Sequence, residues 1–361
     1  MPAPPTTHQD DVPDLVGHTL PGGWAVLRHI AEGGMAHVYE GHNADGIRGA
    51  IKVLHTHLLS KPELAFRFRR EGEIVESIKS PHVPQVLARG KDERGRPFMV
   101  FEFVEGLELT KILDEHVRLP PAVALEITLQ MCEALRVAHL AGIVHRDMKP
   151  DNVIIVGPLD APLVKVLDFS VSKDEDLALT QQGHVMGTPC YMAIEQALGE
   201  PITPLADIYS VGAILYDMLT GRPPYEPDEP GRVLSALLSK EPPRAIDLNP
   251  AIPPALATIV DTAMARSPKK RFPFIESMIE ALRAASASIT QRDTSETLPP
   301  PEPTFTSSPT AEAQPVAFEP VADSVSRPRR APSPNVSMAI VLVAALILLL
   351  VAAAVIFGAR R

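Results

Sequence analysis

His145-Arg146-Asp147-Met148-Lys149-Pro150-Asp151-Asn152 follows Gly142-Ile143-Val144 and runs into the apolar Val153-Ile154-Ile155-Val156. Two acids, a lysine and an amide stand at short spacings between apolar segments, so several polar groups converge on one point. Asp147 offers a carboxylate that takes a proton from a hydroxyl nucleophile. Lys149 offers a charge that neutralises a transferring phosphate, and Asn152 an oxygen ligand for a metal. Taken alone, the octapeptide also reads as a polar turn between two buried segments.

Composition bounds the rest. With 361 residues there is room for one large two-lobed domain, or two ordinary ones, and a tail. A net charge of −10 and the lack of a basic stripe argue against a nucleic-acid partner. Cys132 and Cys190 are too few for a disulfide framework or a four-ligand zinc site, and read as free thiols of a reducing compartment. Residues 1–20, rich in Pro, Thr and Asp without an apolar run, read as a disordered leader and carry no secretion signal. Residues 21–286 alternate strand-like and helix-like patterns and read as the folded domain. Residues 287–337 are dominated by Pro, Ser, Thr, Glu and Ala, which bury too little to offset ordering entropy, and read as a flexible linker.

Residues 338–359 form an uncharged run holding thirteen Ile, Leu, Val and Phe, closed by the two-residue tail Arg360-Arg361. Those side chains favour bilayer insertion by about 4 to 8 kcal/mol, which predicts a transmembrane helix. The flanking arginines are too evenly divided to set its orientation.

The octapeptide matches the H-R-D-L-x-x-x-N signature with Met148 at the leucine. The chain therefore resembles a protein kinase, specifically the bacterial serine/threonine kinases of eukaryotic (Hanks) type, whose loop carries lysine where Lys149 stands. The resemblance implies an α+β, two-lobed kinase fold: a small antiparallel-sheet lobe with helix C, a large helical lobe, and ATP between them. It makes Asp147 and Lys149 the catalytic pair, with Asn152 and the Asp168 of Asp168-Phe169-Ser170 holding magnesium, or manganese in its place. Ser170 replaces the glycine of D-F-G and narrows the conformations open to that loop.

Upstream, Ala31-Glu32-Gly33-Gly34-Met35-Ala36-His37-Val38 keeps the central glycine of G-x-G-x-x-G-x-V, with alanine at the outer two places. Gly49-Ala50-Ile51-Lys52 matches V-A-I-K with glycine first. A lysine in an apolar strand is costly unless it meets an anion, and ATP phosphates supply one. By resemblance its protein partner is Glu71, with Glu73 the runner-up. ATP binding is thereby assigned to Ile30, Ala31, Glu32, Gly33, Gly34, Met35, Ala36, Val38, Ala50, Lys52, Glu71 and Ile154. Backbone groups of Glu102 and Val104 meet the adenine edge, and Phe101 keeps the back pocket small.

The family pattern also makes Thr180 the activation-loop phosphosite, its phosphate received by Arg146. It sets Thr188 near Asp147 and Lys149, pairs Glu195 of Ala193-Ile194-Glu195 with Arg271, and has Asp207 brace the catalytic loop from a buried helix. The implied partners are ATP, protein substrates and a lipid bilayer through residues 338–359. Ala354 and Gly358 form a small-xxx-small pair that suits a homodimer. Since ATP is cytosolic, the kinase domain is expected on the cytoplasmic side of the cell membrane, anchored by a single pass with no sensor domain beyond it. The departures at Ala31, Ala36, Ser170 and Ile194 leave a second reading, a membrane-tethered pseudokinase that acts as a scaffold.

Overall fold

A computed structural model describes residues 15–169, 189–225 and 230–295. The chain divides into two compact units, Met1–Leu298 and Pro299–Arg361, and the second lies outside the described residues.

The first part is a six-stranded antiparallel sheet. Its strands are β1 (Thr19–Leu20), β2 (Trp24–Glu32), β3 (Ala36–His42), β4 (Arg48–Leu54), β5 (Val86–Lys91) and β6 (Pro97–Glu102), in the order β1-β2-β3-β4-β6-β5. Alternation along the strands separates two cores. Tyr39, Ile51, Val53, Phe98 and Val100 fill one face together with Trp24 and Val26. Ala36, Leu54 and Met99 fill the other, where Phe68 of helix α1 (Pro62–Ser77) closes on them. Burying a side chain such as Phe68 contributes about 1.5 to 3 kcal/mol.

Two glycines allow the close approaches this needs. A Cβ on Gly49 would strike the Trp24 ring and Val100, which is why glycine stands in front of Ala50-Ile51-Lys52. Gly72 sits in mid-helix, where glycine costs about 1 kcal/mol relative to alanine. A Cβ there would strike the Met99 sulfur. Glycine lets α1 lie tight against β6 and so brings Glu71 to the sheet.

The second part is helical. Between the two lie β7 (Leu107–Glu108) and α2 (Leu109–Glu115), followed by α3 (Pro121–Leu140). Strands β8 (Val153–Val156) and β9 (Leu163–Val166) form a small sheet with β7. Next come α4 (Ile194–Leu198), α5 (Pro204–Thr220), α6 (Pro230–Ser239), α7 (Ala245–Leu248), α8 (Pro254–Ala263) and α9 (Ile275–Ser295). Proline opens α1, α3, α5 and α8, where its missing N–H has no intrahelical partner to lose. Gly221, at φ 78°, ends α5 in the left-handed region. Helix α5 is buried throughout from Ala206 to Thr220, with α3, α8 and α9 packed around it.

Two expected boundaries are corrected. Residues 15–20 belong to the fold: Leu15 and Leu20 are buried in the Trp24 core, and β1 pairs with β2. Leu15-Val16 and Leu20 are too short an apolar pattern to stand out in the proline-rich composition. The domain also runs past 286, because α9 continues to Ser295. The Ala and Ser that suggest a linker there are also compatible with helix, and no proline interrupts until Pro299. Among the described residues no helix is long and apolar enough to cross a membrane, and the 338–359 run lies outside them.

Inside α5, Ser210 and Thr220 donate their hydroxyls to backbone carbonyls one turn back. Asp217 instead accepts the Tyr191 hydroxyl at 2.6 Å. Burial pushes the Asp217 carboxyl up to about 6, with the Tyr191 bond opposing. The folded state therefore binds a proton that the unfolded chain releases near pH 4. This contribution is complete below that value and is lost as pH rises through about 6. Asp217→Asn keeps an acceptor for Tyr191 and cannot ionise. It is expected to stabilise the protein at pH 8, by on the order of 2 kcal/mol, and by about half as much at pH 5. Melting curves at the two pH values check this; equal differences at both refute it.

Candidate active site

The segment joining α3 to β8 is shaped by a buried carboxylate. Asp207 Oδ1 accepts the Arg146 N–H at 2.8 Å, and Oδ2 accepts the His145 N–H at 2.8 Å. His139 Nε2 also lies 2.8 Å from Oδ2. Arg146 has φ 66°, a left-handed conformation that is costly for a side-chain-bearing residue, and Gln196 holds its carbonyl from α4 at 2.8 Å. The turn sends His145 inward. Its Nδ1 accepts the Asp147 N–H at 3.2 Å, which leaves Nε2 to donate to the Leu167 carbonyl at 2.8 Å.

That bond leads to Asp168. Leu167 N–H returns to the Asn152 carbonyl at 2.8 Å, and the Phe169 ring packs edge-on against His145. Asp168, at φ 52°, is the other left-handed non-glycine among the described residues. Its side chain is 58% exposed, open to the cleft.

Two polar clusters result. In one, Asn152 donates its amide to the Asp147 carbonyl at 2.7 Å and to Asp147 Oδ2 at 3.2 Å, while Lys149 Nζ stands 3.5 Å from Oδ2. Because Nδ2 is held by Asp147, a cation would meet the Oδ1 of Asn152. In the other, Lys52 Nζ lies 2.7 Å from Glu71 and 3.3 Å from Asp168. Burial acts to depress the Lys52 ammonium, but the carboxylates of Asp168 and Glu71 more than offset it and hold its pKa above the ordinary lysine value. The Lys52 charge in turn holds the Asp168 carboxyl below the usual range. Glu73 is exposed on the outside of α1 and pairs with Arg70, so the strand lysine is joined to Glu71. The oxygen donors of Asn152 and Asp168 suit a hard divalent cation.

Around these groups, Ile30, Ala31 and Glu32 end β2, and Gly33 to Met35 form the turn into β3, closed by the Gly33 N–H on the Ala36 carbonyl at 2.9 Å. The Ala36 methyl is buried with Leu54 and Phe68, so it contributes packing under the hairpin. Val38 and Ala50 are half-buried, and Ile154 is buried. Glu102 gives its N–H to the Gln85 carbonyl at 2.8 Å, so a bond to a base edge has to come from its carbonyl. Its carboxylate takes Lys165 Nζ at 2.7 and 2.9 Å. Val104 follows, half-buried, and Phe101 packs against both the large core and the core beneath α1.

Behind the loop, Arg271 forks onto Glu195 at 2.6 and 2.9 Å in a fully buried pair and also donates to the carbonyls of Ala265 and Leu205. Breaking such a pair from one side costs about 3 to 5 kcal/mol. Ser170, Thr180 and Thr188 lie outside the described residues. Sequence reasoning missed His139, Lys165 and Gln196. Each acts across the fold, and nothing in its own neighbourhood marks it.

A family model described as protein kinase domain matches residues 24–282. The chain is 37% identical over 270 residues to the serine/threonine-protein kinase Pkn1 of Myxococcus xanthus, covering 74% of this chain and 38% of that protein. It is 37% identical over 284 residues to PksC of Streptomyces coelicolor (75% and 50%) and 35% identical over 291 residues to PknA of Mycobacterium tuberculosis (79% and 66%). The matches thus span between about 38% and 66% of these relatives' own lengths. Among solved structures, the PknI kinase domain of Mycobacterium tuberculosis superposes with a TM-score of 0.57 over 74% of this chain and 98% of that one. At 24% identity, that likeness is one of fold.

Lys52→Met removes the cation between Glu71 and Asp168. The variant is expected to fold and to lose most of the roughly 2.7 kcal/mol of stabilisation that Mg-ATP at about a hundred times its dissociation constant confers. An undiminished thermal shift would place the nucleotide elsewhere.

Proposed function

Because the chain belongs to the protein kinase family, we propose that it transfers the γ-phosphoryl group of ATP to serine and threonine hydroxyls of proteins. The observation that carries this reading is the assembled trio Lys52–Glu71–Asp168, beside a loop that presents Asp147 and Lys149 together. Asp147 accepts a hydrogen bond from the acceptor hydroxyl and orients its oxygen at the γ-phosphorus. As that bond forms, the bond to the β-phosphate oxygen breaks, ADP leaves, and the hydroxyl proton passes to Asp147. Lys149 offsets charge on the moving phosphoryl group, and Lys52, fixed by Glu71, holds the phosphates that stay behind. A magnesium ion, or manganese, bound through Asn152 and Asp168 would supply further charge neutralisation. The presence of all six groups speaks against the pseudokinase reading.

Regulation is read from the sequence. Phosphate on Thr180 would meet Arg146, which is half-buried beside Asp147. Residues 338–359 would anchor the chain as a single-pass helix with the kinase domain in the cytoplasm. A coil from 296 to 337 would span on the order of 35 Å, long enough for neighbouring domains in one bilayer to meet.

Purified full chain with Mg-ATP is expected to phosphorylate itself, and Asp147→Asn to slow this by about 10² to 10⁴-fold with nucleotide binding intact. Incorporation at the unsubstituted rate in that variant would remove Asp147 from the chemistry. Thr180→Ala is expected to lower activity on an added substrate without abolishing it. Mass spectrometry of active protein with no phosphate between 172 and 188 would overturn that regulation. In liposomes, autophosphorylation is expected to slow as lipid dilutes the protein; a rate independent of dilution would exclude reaction between anchored neighbours.

A further inference from the structure

A cluster of metal-ligating side chains stands apart from the phosphotransfer centre. Glu32, at the end of β2, is the cross-strand partner of His37 at the start of β3. His55 directly follows β4. One ligand atom from each of the three lies within 4.8 Å of the other two. His37 and His55 are buried at 1% and 6% exposure, with ring centroids 4.3 Å apart, while Glu32 is exposed. A tetrahedral ion with bonds of about 2.0 to 2.1 Å needs ligand atoms roughly 3.4 Å apart, so binding would draw these atoms together by up to about 1.4 Å, chiefly through the exposed Glu32 carboxylate.

The His55 ring is already oriented. Its Nε2 lies 2.7 Å from the Gly33 carbonyl, and its backbone N–H donates to the Met35 carbonyl at 2.9 Å. An imidazole that donates one nitrogen to a backbone carbonyl turns the other toward a metal, the arrangement found behind metal-bound histidines. Two imidazoles and a carboxylate are the donor set of a zinc-class ion.

The cluster faces away from the nucleotide. Val38 pairs with Lys52, whereas His37 pairs with Val53, and alternate residues of a strand face opposite sides. His37 therefore shares the face of Tyr39 and Val53, the reverse of the one that presents Lys52.

We propose that Glu32, His37 and His55 bind a zinc-class divalent ion on the outer face of the sheet. Such an ion would tie three strands together around the turn Gly33 to Met35 and limit the motion of the loop that covers the phosphates. Metal binding stands independently of phosphotransfer.

The test uses full chain in detergent, stripped with a chelator and held in saturating Mg-ADP so that the cleft's oxygen ligands are occupied. Zinc is titrated against a chromophoric chelator, and cobalt is added for its visible ligand-field bands. One zinc per chain, tetrahedral cobalt bands, and affinity lowered at least about tenfold by Glu32→Gln and by His55→Gln are expected. His18→Gln, at an exposed histidine of the same lobe, is expected to change nothing. Equal affinity in all three variants, or no cobalt bands, would overturn the site and leave the rings a packing role. If His55→Gln fails to fold, Glu32→Gln decides alone, since its side chain is exposed.

Discussion

The arrangement of the cleft depends on one buried anion. Asp207 accepts the N–H groups of His145 and Arg146 from the catalytic loop, with His139 from α3 on the same carboxylate, each at 2.8 Å. A carboxylate at 1% exposure is tolerable only with such donors. In return it imposes the left-handed turn at Arg146 that sends His145 inward. From His145 the constraint passes through the Leu167 carbonyl to the equally unusual backbone of Asp168. Both strained residues are thus positioned by a single polar chain that starts in the most deeply buried helix.

Packing from the other side meets this chain. Helix α1 reaches the sheet because Gly72 leaves room for Met99, and its tight seat delivers Glu71 to Lys52. Lys52 reaches across to Asp168 at 3.3 Å. The hydrophobic contact beneath α1 and the hydrogen-bond chain from α5 therefore converge on one carboxylate, and a change in either would be felt at the other.

Much of this was legible in the sequence, because the groups that perform chemistry are bunched. Asp147, Lys149 and Asn152 share one loop, and Lys52 stands out as a charge in an apolar strand. Glu71 was separable from Glu73 only by resemblance; the structure separates them by placing Glu73 on the solvent side with Arg70. What was illegible is tertiary. His139, Lys165 and Gln196 find partners 68, 63 and 50 residues away. Leu15-Val16 and Leu20 make too short an apolar pattern to stand out in a proline-rich stretch, and the core around Trp24 and Tyr39 is what buries the two leucines. The continuation of α9 past 286 escaped because a run of Ala and Ser suits a linker and a helix alike. The glycine of Gly49-Ala50-Ile51-Lys52 looked like a departure from pattern and proved to be a response to the tryptophan ring above it.

The ion pair between Glu102 and Lys165 has a mechanical meaning. Glu102 ends the last strand of the small lobe, and Lys165 lies on β9 of the large one, so the bond crosses the connection between them at 2.7 Å. A connection tied there would act as a fulcrum. A tilt of the sheet about that point would have a short lever arm at the Glu102 backbone and a long one at the far hairpin tip, so it would widen the mouth of the cleft more than its inner end.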